Sequence, residues 1–216
     1  MDKLAIAFAE GGVMMWPILF LSIVCWAIVI ERSYFLYGKA SVRAEEMVTM
    51  LQQSIMSGDL AKAIRYVSAS NTPLARIIHA GLLKAKGDVE EVQAAMDEAA
   101  LRELPRVEKR TPYLAMLSNV AMLVGLLGTI IGMIVSFGAV ANADASEKAT
   151  KLAEGISEAM NCTAFGLIVA IPALLAYAAL QSRTQKCVDE INEGSVRIVN
   201  LILLNREKLN TDQGNA

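Results

Sequence analysis

The chain has 216 residues, 55% of them hydrophobic and 19% charged, with a mean hydropathy of +0.43, which is too apolar for an ordinary soluble domain and places much of it in lipid. A formal net charge of -2 and a pI near 5.6 offer phosphates no basic footprint, so no nucleic-acid partner is expected. Cys25, Cys162 and Cys187 have neither metal spacing nor a disulfide framework and read as small packing residues, and His79, the single histidine, reads as a helix-surface residue. No metal, cofactor or enzymatic site is expected, since the chain has no HExxH, no Ser-His-Asp or Cys-His set and no glycine loop followed by lysine.

Residues 1–12 form a short N-terminal segment in which Asp2 and Glu10 outnumber Lys3, so it lacks the positive n-region of a cleaved signal peptide. Residues 13–30 (VMMWPILFLSIVCWAIVI) then run 18 positions without a charge, about the minimum for crossing a hydrocarbon core of about 30 Å at 1.5 Å per residue. This is the first transmembrane helix, an uncleaved anchor.

Residues 31–110 carry 12 basic and 11 acidic side chains among apolar positions at helical spacing, such as Met47, Met50, Leu51, Ser54 and Ile55, and read as a soluble helical domain. Gly58-Asp59 and Gly87-Asp88 each pair a C-terminal glycine with a helix-starting aspartate, and Asn71-Thr72-Pro73 puts proline in a first helical turn. The second span is expected at 111–140, a loop at 141–157, and the third span at 158–182. From 183 to 216 the recurrence of Val188, Ile191, Val196, Val199, Ile202 and Leu203 predicts that the third span continues as a long helix packing on the soluble domain, with residues 210–216 frayed. Segments 31–110 and 183–216 hold 17 of the 20 Lys and Arg residues, which places both in the cytoplasm and the N-terminus and the 141–157 loop outside.

In the second span Gly125, Gly128, Thr129, Gly132 and Ser136 recur every three or four residues and share a helix face, and Gly128-x-x-x-Gly132 fits close helix packing in lipid. A hydroxyl at Thr129 has two uses open to it, bonding its own backbone four residues back or ordering a water inside a bundle. The third span begins at Glu158, adds Asn161 and Thr163, and carries Pro172, whose missing N–H leaves the Ile168 carbonyl without its helix partner. Glu158 is either a helix-end charge favoured by the dipole or a boundary carboxylate facing a wet cavity, where it gathers or relays protons. Glu158 and Thr163 are five positions apart, about 140° around a helix, so a regular helix does not point both at one wall.

GLLGTIIGMIVSF (125–137) followed by LAEGISEAMNCTAFGLIVAIPALLAY (152–177) resembles the paired signature of the MotA/TolQ/ExbB proton channel family, and the three-span plan resembles its ExbB/TolQ branch. The resemblance covers nearly the whole chain. It implies an all-α integral membrane protein with a cytoplasmic helical domain, long helices extending into the cytoplasm and assembly as a homo-oligomeric, pentameric ring in the bacterial inner membrane. It also implies a single-span ExbD/TolR-like partner whose membrane aspartate carries protons, and delivery of work to a TonB- or TolA-like protein or to motility. By the same resemblance Thr129, Glu158 and Thr163 line the ion path; from the residues themselves, Asn161 is expected to hydrate it, and Gly125, Gly128, Gly132, Gly166 and Pro172 are expected as helix-packing positions. Asn161 and Cys162 depart from the small apolar residues of many relatives. The competing reading is a passive oligomeric scaffold, in which the polar residues only satisfy one another.

Overall fold

The computed structural model describes residues 11–40, 44–141 and 143–205. Among these the fold is all helical: α1 (Met15–Tyr34) passes into a π-helical turn (Phe35–Ala40), and α2 (Ala44–Met56), α3 (Leu60–Ala69), α4 (Pro73–Leu83), α5 (Val89–Glu108), α6 (Thr111–Ala141) and α7 (Lys148–Leu204) follow. The expectations for residues 1–10 and for the frayed end at 210–216 lie outside the described residues. Among the described residues three helices are long and apolar enough to cross a membrane, and they overlap the expected spans at 13–30, 111–140 and 158–182.

The chain divides into two units. The first comprises residues 11–31 and 110–179 and contains α1 up to Glu31, α6 and α7 up to Ala179. Its core is built on Met15, Ile18 and Cys162, with Met14, Val124, Phe165 and Val169 packed around them. Large apolar side chains such as Trp16, Phe20, Ile134 and Leu175 point outward, as lipid contact requires and water would penalise. Glu31 and Arg110 form an ion pair linking the end of α1 to the start of α6, with Arg110 at φ 72 in the turn that precedes α6.

The second unit comprises the described residues of 32–109 with 180–205, so the end of α7 belongs with α2–α5 as its helical apolar recurrence predicts. Gly194 on α7 lies against Leu74 and Val48. The predicted apolar stripe is largely correct: Met47, Leu51, Ser54 and Ile55 are buried and Met50 is exposed, while on α7 Val188, Ile191 and Ile202 are buried and Val196 is exposed, its place taken by Ile198. Thr72 caps α4 by accepting from the Ala75 amide at 3.2 Å, with Pro73 at the first helical position, and Asp59 caps α3 by accepting from Lys62 at 2.8 Å. Buried Glu103 is shared between Arg76 at 3.2 Å and Arg106 at 2.6 Å. Buried Arg32 donates to the Val107 carbonyl and stacks over Phe35, which supplies the partners a buried guanidinium needs. Burial pushes the Cys187 thiol above its ordinary range, against the pull of Arg183 and Arg32, and keeps it a neutral packing group.

Two local expectations are corrected. Gly87 does not end a helix in a left-handed turn: α4 stops at Leu83, Lys84 caps it, and a turn closed by the Gly87 amide on the Lys84 carbonyl at 2.8 Å leads to Asp88. Gly58 does adopt the left-handed conformation, at φ 84. Gly58→Ala is therefore expected to cost about 1 kcal/mol, seen as a fall of about 2–4 °C in the thermal midpoint of the detergent-solubilised protein, whereas Gly87→Ala gives no left-handed penalty. The second correction concerns Glu158, which does not begin a helix. α7 starts ten residues earlier at Lys148, stabilised in its first turns by good helix formers and by Glu147 and Lys151 at 2.9 Å. The connection before it is correspondingly shorter and turns on Asp144, whose carbonyl accepts from Glu147 and Lys148.

Candidate functional site

α6 and α7 meet along a seam of small residues. On α6 the predicted stripe runs through Gly125, Gly128 and Gly132 to Ser136 and extends back to Ser118, and α7 answers with Ala170, Gly166, Cys162, Ala159 and Gly155. Gly125 and Gly166 form the closest approach. A Cβ on Gly166 would lie 3.0 Å from the Gly125 Cα and 3.0 Å from the Ala121 carbonyl oxygen, and one on Gly125 would lie 3.1 Å from the Gly166 Cα and from the Cys162 carbonyl oxygen. Backbone touches backbone there, so even one Cβ at either position requires the helices to part by a few tenths of an ångström. Gly128 faces the Cys162 side chain, Gly132 faces Ala159, and Ser136 faces Gly155. Ser118 donates to the Ala170 carbonyl at 2.6 Å, an interhelical bond with no competing water in hydrocarbon.

This approach brings Thr129 and Thr163 together. Each hydroxyl lies 3.2 Å from the Gly125 carbonyl oxygen, and the two hydroxyls are themselves hydrogen bonded. The back-bond foreseen for Thr129 is present, and Thr163 shares its acceptor. Two protons serve three oxygens: one hydroxyl donates to the carbonyl and the other donates to the first, and the order can reverse without moving a heavy atom. Both donors are used internally while hydroxyl lone pairs stay open, so the cluster is ready to accept from a water or a protonated carrier. Thr129 also forms the polar point of an open groove of about 540 Å³ whose other walls are Leu126, Ile130, Met133, Ile134 and Phe137.

Glu158 and Asn161 stand apart from this cluster. α7 is unbroken through this region, and Thr163 is turned to α6 whereas the exposed Glu158 has Oε1 against Gly12, at the head of α1. Asn161 is half-buried beside Cys162. Pro172 is exposed within α7 and borders a crevice of about 10 Å³ with Cys25, Trp26, Val29, Val169, Ala173 and Ala176, too small to hold more than a single water. The sequence reading missed Ser118, Gly155, Ala159 and Ala170 as seam residues. Applying to α7 the three-or-four-residue spacing used on α6 would have found the last three.

These features define a helical membrane protein whose second and third apolar helices are joined along a small-residue seam with a hydroxyl pair at its centre. A family model for the MotA/TolQ/ExbB proton channel family matches residues 69–193. An ExbB-like biopolymer transport protein of Synechocystis sp. is 32% identical, with 84% of this chain and 72% of that protein aligned. The Tol-Pal system protein TolQ of Pseudomonas aeruginosa is 31% identical over 77% of this chain and 76% of its own length, and the biopolymer transport protein ExbB of Salmonella typhimurium is 30% identical over 72% and 66%. The chain belongs to the MotA/TolQ/ExbB proton channel family.

Proposed function

We propose that this chain is the ExbB/TolQ-like subunit of an inner-membrane proton-driven motor. Five copies surround the apolar helix of a single-span ExbD/TolR-like partner bearing a membrane aspartate, and proton passage does work on the cell envelope through a TonB- or TolA-like protein. In this reading the large helical domain and the end of α7 are cytoplasmic. The observation that carries it is the hydroxyl pair Thr129–Thr163 on the Gly125 carbonyl, set beside an open apolar groove in a chain of this family. A partner helix that is greasy except for one acid suits such a groove. Its acid could donate to the hydroxyls' open lone pairs when protonated and release them when ionised. A proton moving down the membrane potential supplies about 2.3 kcal/mol per 100 mV, which exceeds a typical net hydrogen bond of about 1 kcal/mol and suffices to break and remake such contacts.

The test is co-purification with single-span proteins encoded nearby, followed by an assay of proton-dependent output in cells. Capture of an aspartate-bearing partner whose loss abolishes output supports the motor. Homo-oligomers that bind no such partner and need none support the scaffold reading. Thr129→Val and Thr163→Val keep the shape and delete one hydroxyl each, so each is expected to slow output about fivefold with assembly intact, in line with the loss of about 1 kcal/mol. Unchanged output in both would remove the hydroxyls from the path. Reporter fusions at Gly87 and Ala145 check the topology, with Gly87 expected inside and Ala145 outside.

A further inference from the structure

We infer that Gly12, in the turn at the head of α1, is a positioning residue for the Glu158 carboxylate. This rests on the reading of Glu158 as part of the ion path. Gly12 sits at φ 68, and a Cβ built on it would overlap Glu158 Oε1 and lie 3.0 Å from Cδ and 3.6 Å from Cγ. The carboxylate therefore lies against a bare Cα, with Oε1 at the turn while the residue as a whole stays exposed. The seat is anchored. The Met15 amide donates to the Gly12 carbonyl at 3.3 Å, and the buried side chains of Met15 and Ile18 pack on Cys162, one helical turn along α7 from Glu158. On the next position of α7, Ala159 faces Gly132 across the seam. Glu158 thus lies where the head of the first span meets the seam of the other two.

The atom that meets the missing Cβ is the far end of a flexible side chain, so a methyl group at position 12 is accommodated by moving the carboxylate and not the backbone. At φ 68 the alanine also carries the left-handed penalty argued for Gly58, so the effect of Gly12→Ala combines strain with displacement, and the further variants separate the two. Shortening the acid by one methylene withdraws it from the same collision, so Glu158→Asp is the compensating change. Asparagine tolerates the left-handed conformation better than alanine but brings a larger side chain, so Gly12→Asn separates backbone strain from displacement.

The experiment measures proton-dependent output of the full-length protein with its partner, at matched membrane levels, in a double-mutant cycle. Gly12→Ala is expected to lower output about tenfold, Gly12→Asn at least as much, and Gly12→Ala with Glu158→Asp to exceed Gly12→Ala alone. Simple multiplication of the two single effects overturns the inference, as does Gly12→Asn outperforming Gly12→Ala, which would mark strain as the cause. The contact itself is read without activity by Gly12→Cys with Glu158→Cys in a chain whose three native cysteines are replaced. Oxidation or a short thiol-to-thiol crosslinker that makes up the length lost from glutamate should join the two within one chain, and absence of both crosslinks overturns the seating. If the crosslink forms but Glu158→Gln keeps full output, the seating stands and the ion-path reading fails.

Discussion

Gly166→Leu is expected to remove most of the folded protein from the membrane, and Gly125→Leu to do the same. At these two positions the opposing atoms are backbone, 3.0–3.1 Å from where the new Cβ would be, and no rotamer of a neighbour can yield the space. The helices must separate, and separation loses contacts along the whole seam from Ser118–Ala170 to Ser136–Gly155. Lipid offers no hydrophobic compensation, because van der Waals packing and interhelical hydrogen bonds are what hold the pair together. A cost of at least about 3 kcal/mol is expected, enough to lower the folded-to-unfolded ratio more than a hundredfold and to take most of a marginal stability. Gly128→Leu should be milder, since a Cβ there meets mainly the Cys162 side chain. Gly138 on the same helix has no atom within 4 Å of a built Cβ, so Gly138→Leu is the matched control and should accumulate normally. Membrane levels by quantitative immunoblot and thermal midpoints in detergent read the series. Equal tolerance at 166, 125 and 138 would mean that the seam is not closed in the membrane.

Much of this arrangement is legible in the residues because it depends on local rules. Thr72-Pro73 announces a capped helix start, Gly58-Asp59 a left-handed stop and a new cap, and the glycine spacing of α6 a face that something approaches closely. What could not be read depends on register between distant segments. That Thr163 shares an acceptor with Thr129 follows from Gly125 and Gly166 meeting Cα to Cα, and helical spacing on either segment alone does not choose which residues stand opposite. The start of α7 was misplaced for a different reason. An apolar run marks where charges cease, whereas helix formation continues through Lys148–Ser157 on the strength of alanine, leucine, lysine and glutamate. Gly12 is invisible in the sequence because a Gly11-Gly12 pair before a span is an ordinary turn, and only the position of the Glu158 oxygen gives it significance.

The displaced helix start bears directly on Glu158, for which Glu158→Gln is expected to preserve the assembled protein and abolish most of its output. A helix-end role required the carboxylate to sit in the first turn, where the dipole contributes about 0.3–1 kcal/mol and beyond which it fades. With α7 beginning at Lys148, Glu158 lies in the third turn, so that explanation loses its geometric basis. What remains is an exposed acid on a membrane helix, seated on Gly12 and one turn from the buried Cys162, where a charge has no use in packing. Glutamine keeps the volume and the hydrogen-bonding shape and removes only the titratable proton site. Stability should change by less than about 0.5 kcal/mol, as for surface substitutions away from buried partners. Membrane level and recovery of the single-span partner should match the parent, while proton-driven output falls at least about tenfold. Glu158→Asp, which restores the titratable group on a shorter arm, should retain more output than glutamine. All three quantities are measured on the same strains, so that loss of protein is not read as loss of function. Full output from Glu158→Gln at normal protein levels would take Glu158 out of the proposed ion path and leave its charge without a role in proton transfer.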